Sequence, residues 1–304
     1  MSTFVTEAGL AEPSAGPGQG PGEQARAGGP GGARPRQSRW LYGVLAAGVG
    51  VVTAPFVWML LSSVKSDREI RQSPPTWLPD APTLENYEAV FTRLDFPQFF
   101  LNSVVVASAV TLGNLVFCSM LGYVLAKMEF AGKRLLFGIV MVTLMVPGMV
   151  TFIPQFVLVS NLGLVDTYPG LFLPYLAMPF GVFLMRQYML GLPDELIDAA
   201  RVDGAGEWRI FSRVIMPLCG PALATLGILT FLNSWNNFLW PLVVAQSEDR
   251  YTLPVALALY AVDQNNLQYG LMLAGAVVIV LPVLLVFVAL QRYFVQGIAM
   301  TGIK

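Results

Sequence analysis

Residues 271–294 read LMLAGAVVIVLPVLLVFVALQRYF, and no Asp, Glu, Lys or Arg occurs between Gln264 and Gln291. A bilayer core of about 30 Å takes roughly 20 apolar residues of helix, so this run is long enough to cross a membrane and to tilt while doing so. Working outward from it, five further apolar runs stand at 40–64, 99–126, 135–157, 168–189 and 217–245. The fold class they imply is all-α: a polytopic membrane protein with six transmembrane helices.

Composition agrees. Of 304 residues, 55% are hydrophobic and 12% charged, against about 25% charged in a soluble domain. The 18 Lys+Arg and 19 Asp+Glu leave a net charge of −1, so there is no basic field for nucleic acid. Histidine is absent, which removes Ser-His-Asp and Cys-His nucleophilic systems, histidine metal sites and histidine pH switches. No catalytic residue, metal site or cofactor is expected. Cys118 and Cys219 sit in apolar runs far apart and suggest neither a disulfide framework nor a zinc knuckle.

Ahead of the first run, residues 1–37 hold nine glycines and five prolines with no apolar period, a composition that cannot offset chain entropy by burial. A disordered cytoplasmic tail over 1–39 and a membrane domain over 40–304 follow, and no pattern of a secretory signal is present. Basic residues near span ends stay on the cytoplasmic side. With the tail inside, thirteen basic residues fall on inner segments, and five (Lys65, Arg68, Arg71, Arg93 and Arg250) fall on outer ones. Both termini are therefore expected in the cytoplasm.

Transporters that couple to ion gradients usually keep a charged group within the membrane. Here 135–165 and 214–247 also lack any Asp, Glu, Lys or Arg. Nor is there a G-x-x-x-x-G-K-[ST] loop to cradle a nucleotide: Gly132-Lys133 is followed by Arg134, and Lys127 stands where the first glycine belongs. Any energy for transport must come from another polypeptide.

The inner loop 191–217 has the grammar of a short helix followed by a second. Pro193 suits a first helical position, and Asp194 and Glu195 put negative charge at the positive end of the helix dipole. Gly204 offers the left-handed stop, and Ala199 and Ala200 would let another surface approach closely. Asp198-Ala199-Ala200, three residues, Gly204, nine residues, then Val214-Ile215-Met216-Pro217 resembles the E-A-A-x3-G-x9-I-x-L-P loop of ABC importer permeases. Asp for Glu, Val for Ile and Met for Leu are its departures. The segments 55–59, 82–87, 231–238 with Pro241-Leu242, and 294–297 narrow the resemblance to maltose-type carbohydrate-uptake permeases, on the side of the MalG-like partner, over about 40–304.

The resemblance implies an ABC type I importer permease fold in the cytoplasmic membrane of a prokaryote. It implies a homologous second permease subunit in a heterodimer, two cytoplasmic ATPase subunits, an extracytoplasmic solute-binding protein docking on the outer loops, and a sugar as substrate. Glu195, Asp198, Ala199, Ala200, Asp203, Gly204 and Pro217 become the candidate ATPase-coupling residues, and Gln296 and Gly297 a tail reaching the ATPase. Each has an ordinary alternative: an amphipathic interfacial helix for the loop, a solvated surface position for Asp198, fraying for the tail.

Gln155, Asn233, Trp235, Asn236 and Asn237 are candidates for the translocation path, since amides bond sugar hydroxyls and aromatic faces cover pyranose rings. Interhelical hydrogen bonding is their commoner use. Pro147-Gly148, Pro154, Pro174 and Pro179 mark either hinges or packing kinks. Thr83 is a candidate cap for a short outer helix over 84–91, and Trp40 and Trp77 suit an aromatic belt. Two other functions remain in view: an ABC permease for a polyamine, phosphonate or peptide, and a membrane scaffold or sensor that transports nothing.

Overall fold

The computed structural model describes residues 39–263 and 266–300, so the expected tail over 1–39 lies almost wholly outside the described residues. The chain divides into two compact units, one ending at Val52 and one starting at Thr53. The first contributes the opening half of the Arg39–Ser63 helix, with its side chains from Trp40 onward exposed. The second holds the remaining helices.

Among the described residues three helices are long and apolar enough to cross a membrane: Trp40–Ser63, Phe96–Lys127 and Tyr269–Ala289. Counting each bent pair as one crossing gives three more. Lys133–Met145 with Gly148–Asn161 bends by 104°, Tyr168–Tyr175 with Pro179–Leu190 by 42°, and Glu207–Leu218 with Gly220–Trp235 by 80°. The six expected spans are thus found, but 135–157, 168–189 and 217–245 are broken rods rather than continuous ones. Proline stands at every break. Pro147 and Pro179 push Val146 and Met178 out of the helical region, to ψ values of 118° and 139°. Pro217 and Pro221 flank the third break, where Cys219 leaves the helix at ψ 7°. Pro154 by contrast lies inside an unbroken Gly148–Asn161 helix, and Pro174 sits in a single 3-10 turn over Leu173–Tyr175.

The gentlest bend has a specific chaperone. Pro179 has no N–H to give the carbonyl of Tyr175 one helical turn back. The fully buried Asn114 supplies it: its Nδ2 donates to Tyr175 O at 2.6 Å, and its Oδ1 accepts from Met178 N at 3.0 Å. Asn114 opens a π-helical turn over Asn114–Cys118 within the long second crossing, the kind of local widening that often marks a functional or strained point. The same two crossings touch through glycines. A Cβ on Gly122 would lie 2.8 Å from Met185 Cβ, and one on Gly181 would lie 2.7 Å from Cys118 Sγ. Only the absence of a side chain permits that approach.

At the end of the bundle that carries the loops 66–98 and 246–268, polar groups tie the elements together. Buried Asn102 donates to Asp249 O at 3.0 Å and Tyr251 O at 2.8 Å, and accepts from Tyr168 Oη at 2.6 Å. Trp240 Nε1 donates to Gly170 O at 3.1 Å. Asp166 takes Gln246 N, Ser247 N and Ser247 Oγ on one oxygen. Burial raises its carboxyl pKa, but the bonds from Ser247 and Gln246 outweigh this and hold it below the ordinary value. The short helix expected over 84–91 runs Glu85–Arg93, starting one residue later; Thr83 Oγ1 accepts from Glu85 N, and Leu84 makes no side-chain cap. A two-residue hairpin pairs Val262–Asp263 with Asn266–Leu267, the only β-structure among the described residues and too small to alter the all-α class.

Candidate functional site

The loop between the fourth and fifth crossings forms a compact foot. Its helix runs Glu195–Val202, with Asp194 as N-cap, so Pro193 precedes the cap instead of occupying the first turn. Negative charge does stand at the positive end of the dipole, in Glu195 and Asp198. The C-terminus closes as a Schellman motif: Ala205 N reaches Ala200 O at 2.9 Å and Gly204 N reaches Arg201 O at 3.0 Å. Gly204 holds φ +77°, with open space where a side chain would project. Only a left-handed residue completes this turn, as the sequence predicts.

One face of the helix is nailed down and the other is bare. Ile197 is 3% exposed and packs in the core with Tyr123, Leu125, Ile210, Phe211 and Ile215. Ala200 and Ala205 lean on that core, while Ala199 faces out. The two alanines therefore do different things: Ala200 fits the protein's own interior, and Ala199 alone keeps the outer face low. The exposed side of the foot mixes acidic and large apolar residues. Val202 is 88% exposed and Trp208 66%, with Leu196 beside them. None of these three is among the sequence candidates, and the signal for them was present: in 195–202 the apolar positions fall on both faces of one short helix.

Charged groups tie the foot to the bundle. Lys127, at the end of the second crossing, donates to Leu192 O and Asp194 Oδ1, both at 2.6 Å. Its hydrogen bond and charge hold the Asp194 carboxyl below the ordinary carboxylate range. Tyr123 Oη donates to Glu207 Oε2 at 2.7 Å, and Arg201 clasps Glu207 Oε1 through Nε at 3.2 Å and Nη2 at 2.9 Å. Arg201 also lies 3.6 Å from Asp198. The hydrogen bond and charge of Glu207 raise the Arg201 pKa, so the clasp is charged at any physiological pH. Asp203 and Pro217 are exposed, the latter on the Met216–Leu218 segment just before the 80° bend.

The candidate path residues scatter. Asn233 and Asn237 come together with Thr230, Ser234 and Tyr175 around one narrow crevice of about 10 Å³. Trp235 turns away from it, 1% exposed, stacked on Phe231 and donating Nε1 to Ile279 O at 3.1 Å. Asn236 is exposed and bonds its own helix at Leu232 O, and Gln155 is half-buried on the separate Gly148–Asn161 helix. Gln296 and Gly297 fall on the last turns of the Tyr269–Met300 helix; their side chains lie outside the described residues.

Residues 119–300 match the family described as binding-protein-dependent transport system inner membrane component. The chain is 40% identical over 269 residues to the arabinooligosaccharides transport system permease protein AraQ of Halalkalibacterium halodurans, covering 87% of this chain and 96% of that one. It is 38% identical to the diacetylchitobiose uptake system permease protein NgcG of Streptomyces coelicolor, covering 80% and 81%. A chain from the crystal structure of a bacterial ABC transporter involved in the import of the acidic polysaccharide alginate superposes with a TM-score of 0.75 at 25% identity, covering 85% of this chain and 98% of that one.

Proposed function

This chain belongs to the family of binding-protein-dependent transport system inner membrane components, and on that premise we propose that the solute it conducts is a sugar or oligosaccharide. It is a non-catalytic, membrane-embedded permease subunit of an ABC-type importer. The substrate class is supported by the printed functions of its relatives, which take up arabinooligosaccharides and diacetylchitobiose.

The remaining partners follow from what the chain lacks and what it offers. Its resemblance to ABC importer permeases implies two ATPase subunits on the cytoplasmic side, where both termini also lie, and the chain itself carries no nucleotide-binding loop. A homologous second permease completes the path, and a solute-binding protein delivers the sugar to the outer loops. One observation carries the coupling role: a helix held to the bundle by Ile197, and flanked by the Lys127–Asp194 and Tyr123–Glu207 bonds, leaves Leu196, Ala199 and Val202 exposed together with Glu195 and Asp203. A rigid, unpartnered foot of this kind transmits displacement from a docked subunit to the crossing that ends at Lys127. Closure of the ATPases then biases the path between its two openings. Asn233 and Asn237, sharing one crevice, are the path residues best placed to meet sugar hydroxyls.

The test is Gly204→Asp in the reconstituted importer with its ATPase and binding protein. A side chain at φ +77° strains the closing turn, so uptake is expected to fall about tenfold, the size of a typical coupling energy, while the complex still assembles in the membrane. Undiminished uptake overturns the coupling role. Thermal-shift screening of the cognate binding protein checks the solute: stabilisation by a sugar is expected, and stabilisation by a polyamine or phosphonate instead overturns the substrate class.

A further inference from the structure

We infer that the tip of the foot is a charge-sorted docking face for the ATPase, with Trp208 as its apolar anchor, Asp203 meeting a cation of that subunit and Arg209 a carboxylate. The inference rests on the coupling role proposed above and adds to it the chemistry that the partner must present.

The foot pairs part of its charge internally and leaves the rest free. Asp194 is held by Lys127, and Asp198, Arg201 and Glu207 pair among themselves. Glu195, Asp203, Arg209 and Arg213 are all exposed, and among the described residues none of them has an ion-pair partner. These four are sorted by sign, the acids on the Glu195–Val202 helix and its cap, the bases beyond the turn that follows. Asp203 is the C-cap of that helix, where the dipole is negative and a carboxylate is repelled. A cation supplied from outside relieves the repulsion.

The turn brings both signs to one tip. Arg201 and Glu207 are clasped at 2.9 Å, so the residues that follow each, Val202-Asp203 and Trp208-Arg209, flank the same clasp. Val202 is 88% exposed and Trp208 66%. Trp208 is nonetheless held in place: its carbonyl accepts from Ser212 Oγ at 2.7 Å, and its ring centroid lies 5.5 Å from that of the buried Phe211. A large aromatic side chain that is fixed and left bare gives up little freedom on docking, and tryptophan is enriched among the residues that dominate interfaces. An anionic membrane surface fits this face poorly, because it repels Asp203 and Glu195. A protein surface carrying both signs around an apolar pocket fits it, and complementary charge then fixes the orientation of docking.

The test titrates the cognate ATPase onto the permease complex in detergent. Trp208→Ala is expected to weaken binding about thirtyfold, and Trp208→Phe, which keeps a ring against Phe211, to recover most of it. Asp203→Lys and Arg209→Glu should each weaken binding about tenfold and make it less sensitive to salt. All three positions are exposed, so unfolding midpoints should stay put. A second reading uses Val202→Cys: Cys118 and Cys219 are buried, so maleimide labelling of this chain reports the tip. Protection on adding the ATPase is expected. Protection by anionic lipid nanodiscs alone assigns the tip to the membrane and overturns the inference, as do unchanged affinity in Trp208→Ala or unchanged affinity and salt dependence in both charge reversals. Those results beside a Gly204→Asp variant that still loses uptake would fell this face alone, whereas failure of the coupling role shows as undiminished uptake in Gly204→Asp.

Discussion

Beside Lys127, a phenolic hydroxyl joins the foot to the second crossing. Tyr123 is 4% exposed, and its bond to Glu207 spans 84 residues of sequence. The acceptor is also held by Arg201, so the three side chains act as one unit. Tyr123→Phe removes the bond with almost no change of shape. Its stability cost is expected at about 1.5 kcal/mol, the low end for a bond to a charged group because Glu207 remains partly in water. The larger effect is expected in the ratio of sugar moved to ATP hydrolysed, which should fall while hydrolysis itself persists. Glu207→Gln should do the same, and the double variant should be no worse than either single one, as for residues in one network. Additive losses in a transport assay would show that the unit does not exist. Residues such as Asp198 and Gly204 were legible because their spacing is local; Tyr123 and Lys127 were not, since nothing in a single chain says which distant loop their polar atoms meet.

The helices were legible as hydrophobic runs, but their breaks were only half so. The prolines could be seen, yet Pro154 leaves its helix intact while Pro147 and Pro179 end theirs. What decides is whether a partner exists for the carbonyl and amide that proline sets loose. Asn114 is that partner for the fourth crossing, and read alone it was merely an amide in an apolar run. Asn114→Leu strands Tyr175 O and Met178 N, both on half-buried residues. Intramembrane hydrogen bonds average well under 1 kcal/mol because other partners are usually found. These two groups have none nearby, so a loss of about 2 kcal/mol is expected, read as a lower midpoint of thermal unfolding of the purified complex. Pro179→Ala should recover part of the loss, because residue 179 then offers its own N–H to Tyr175. If the second substitution deepens the defect instead, Asn114 is not the splint for this bend.

At the scale of the whole chain, the apolar runs are long and the charged residues fall mostly between them. The intervals 135–165, 214–247 and 264–291 contain no Asp, Glu, Lys or Arg, and Asn114 and Trp235 inside the bundle donate to backbone carbonyls. A proton or sodium ion crossing by exchange needs a group that changes charge or a cage of oxygens. The crevice at Asn233 and Asn237 offers neutral hydrogen-bonding atoms only. On the proposed reading work enters through an ATPase, and the foot, bonded to the second crossing at Tyr123 and Lys127, is where it would arrive. In proteoliposomes holding the complete importer, uptake is accordingly expected to require ATP inside and to proceed unchanged when protonophore and sodium ionophore collapse every gradient. A rate that falls in step with the proton or sodium gradient, at constant ATP, would mean that the bundle itself harvests an ion. The apolar composition of the spans would then have misled at the level of the whole molecule, however well the foot is built.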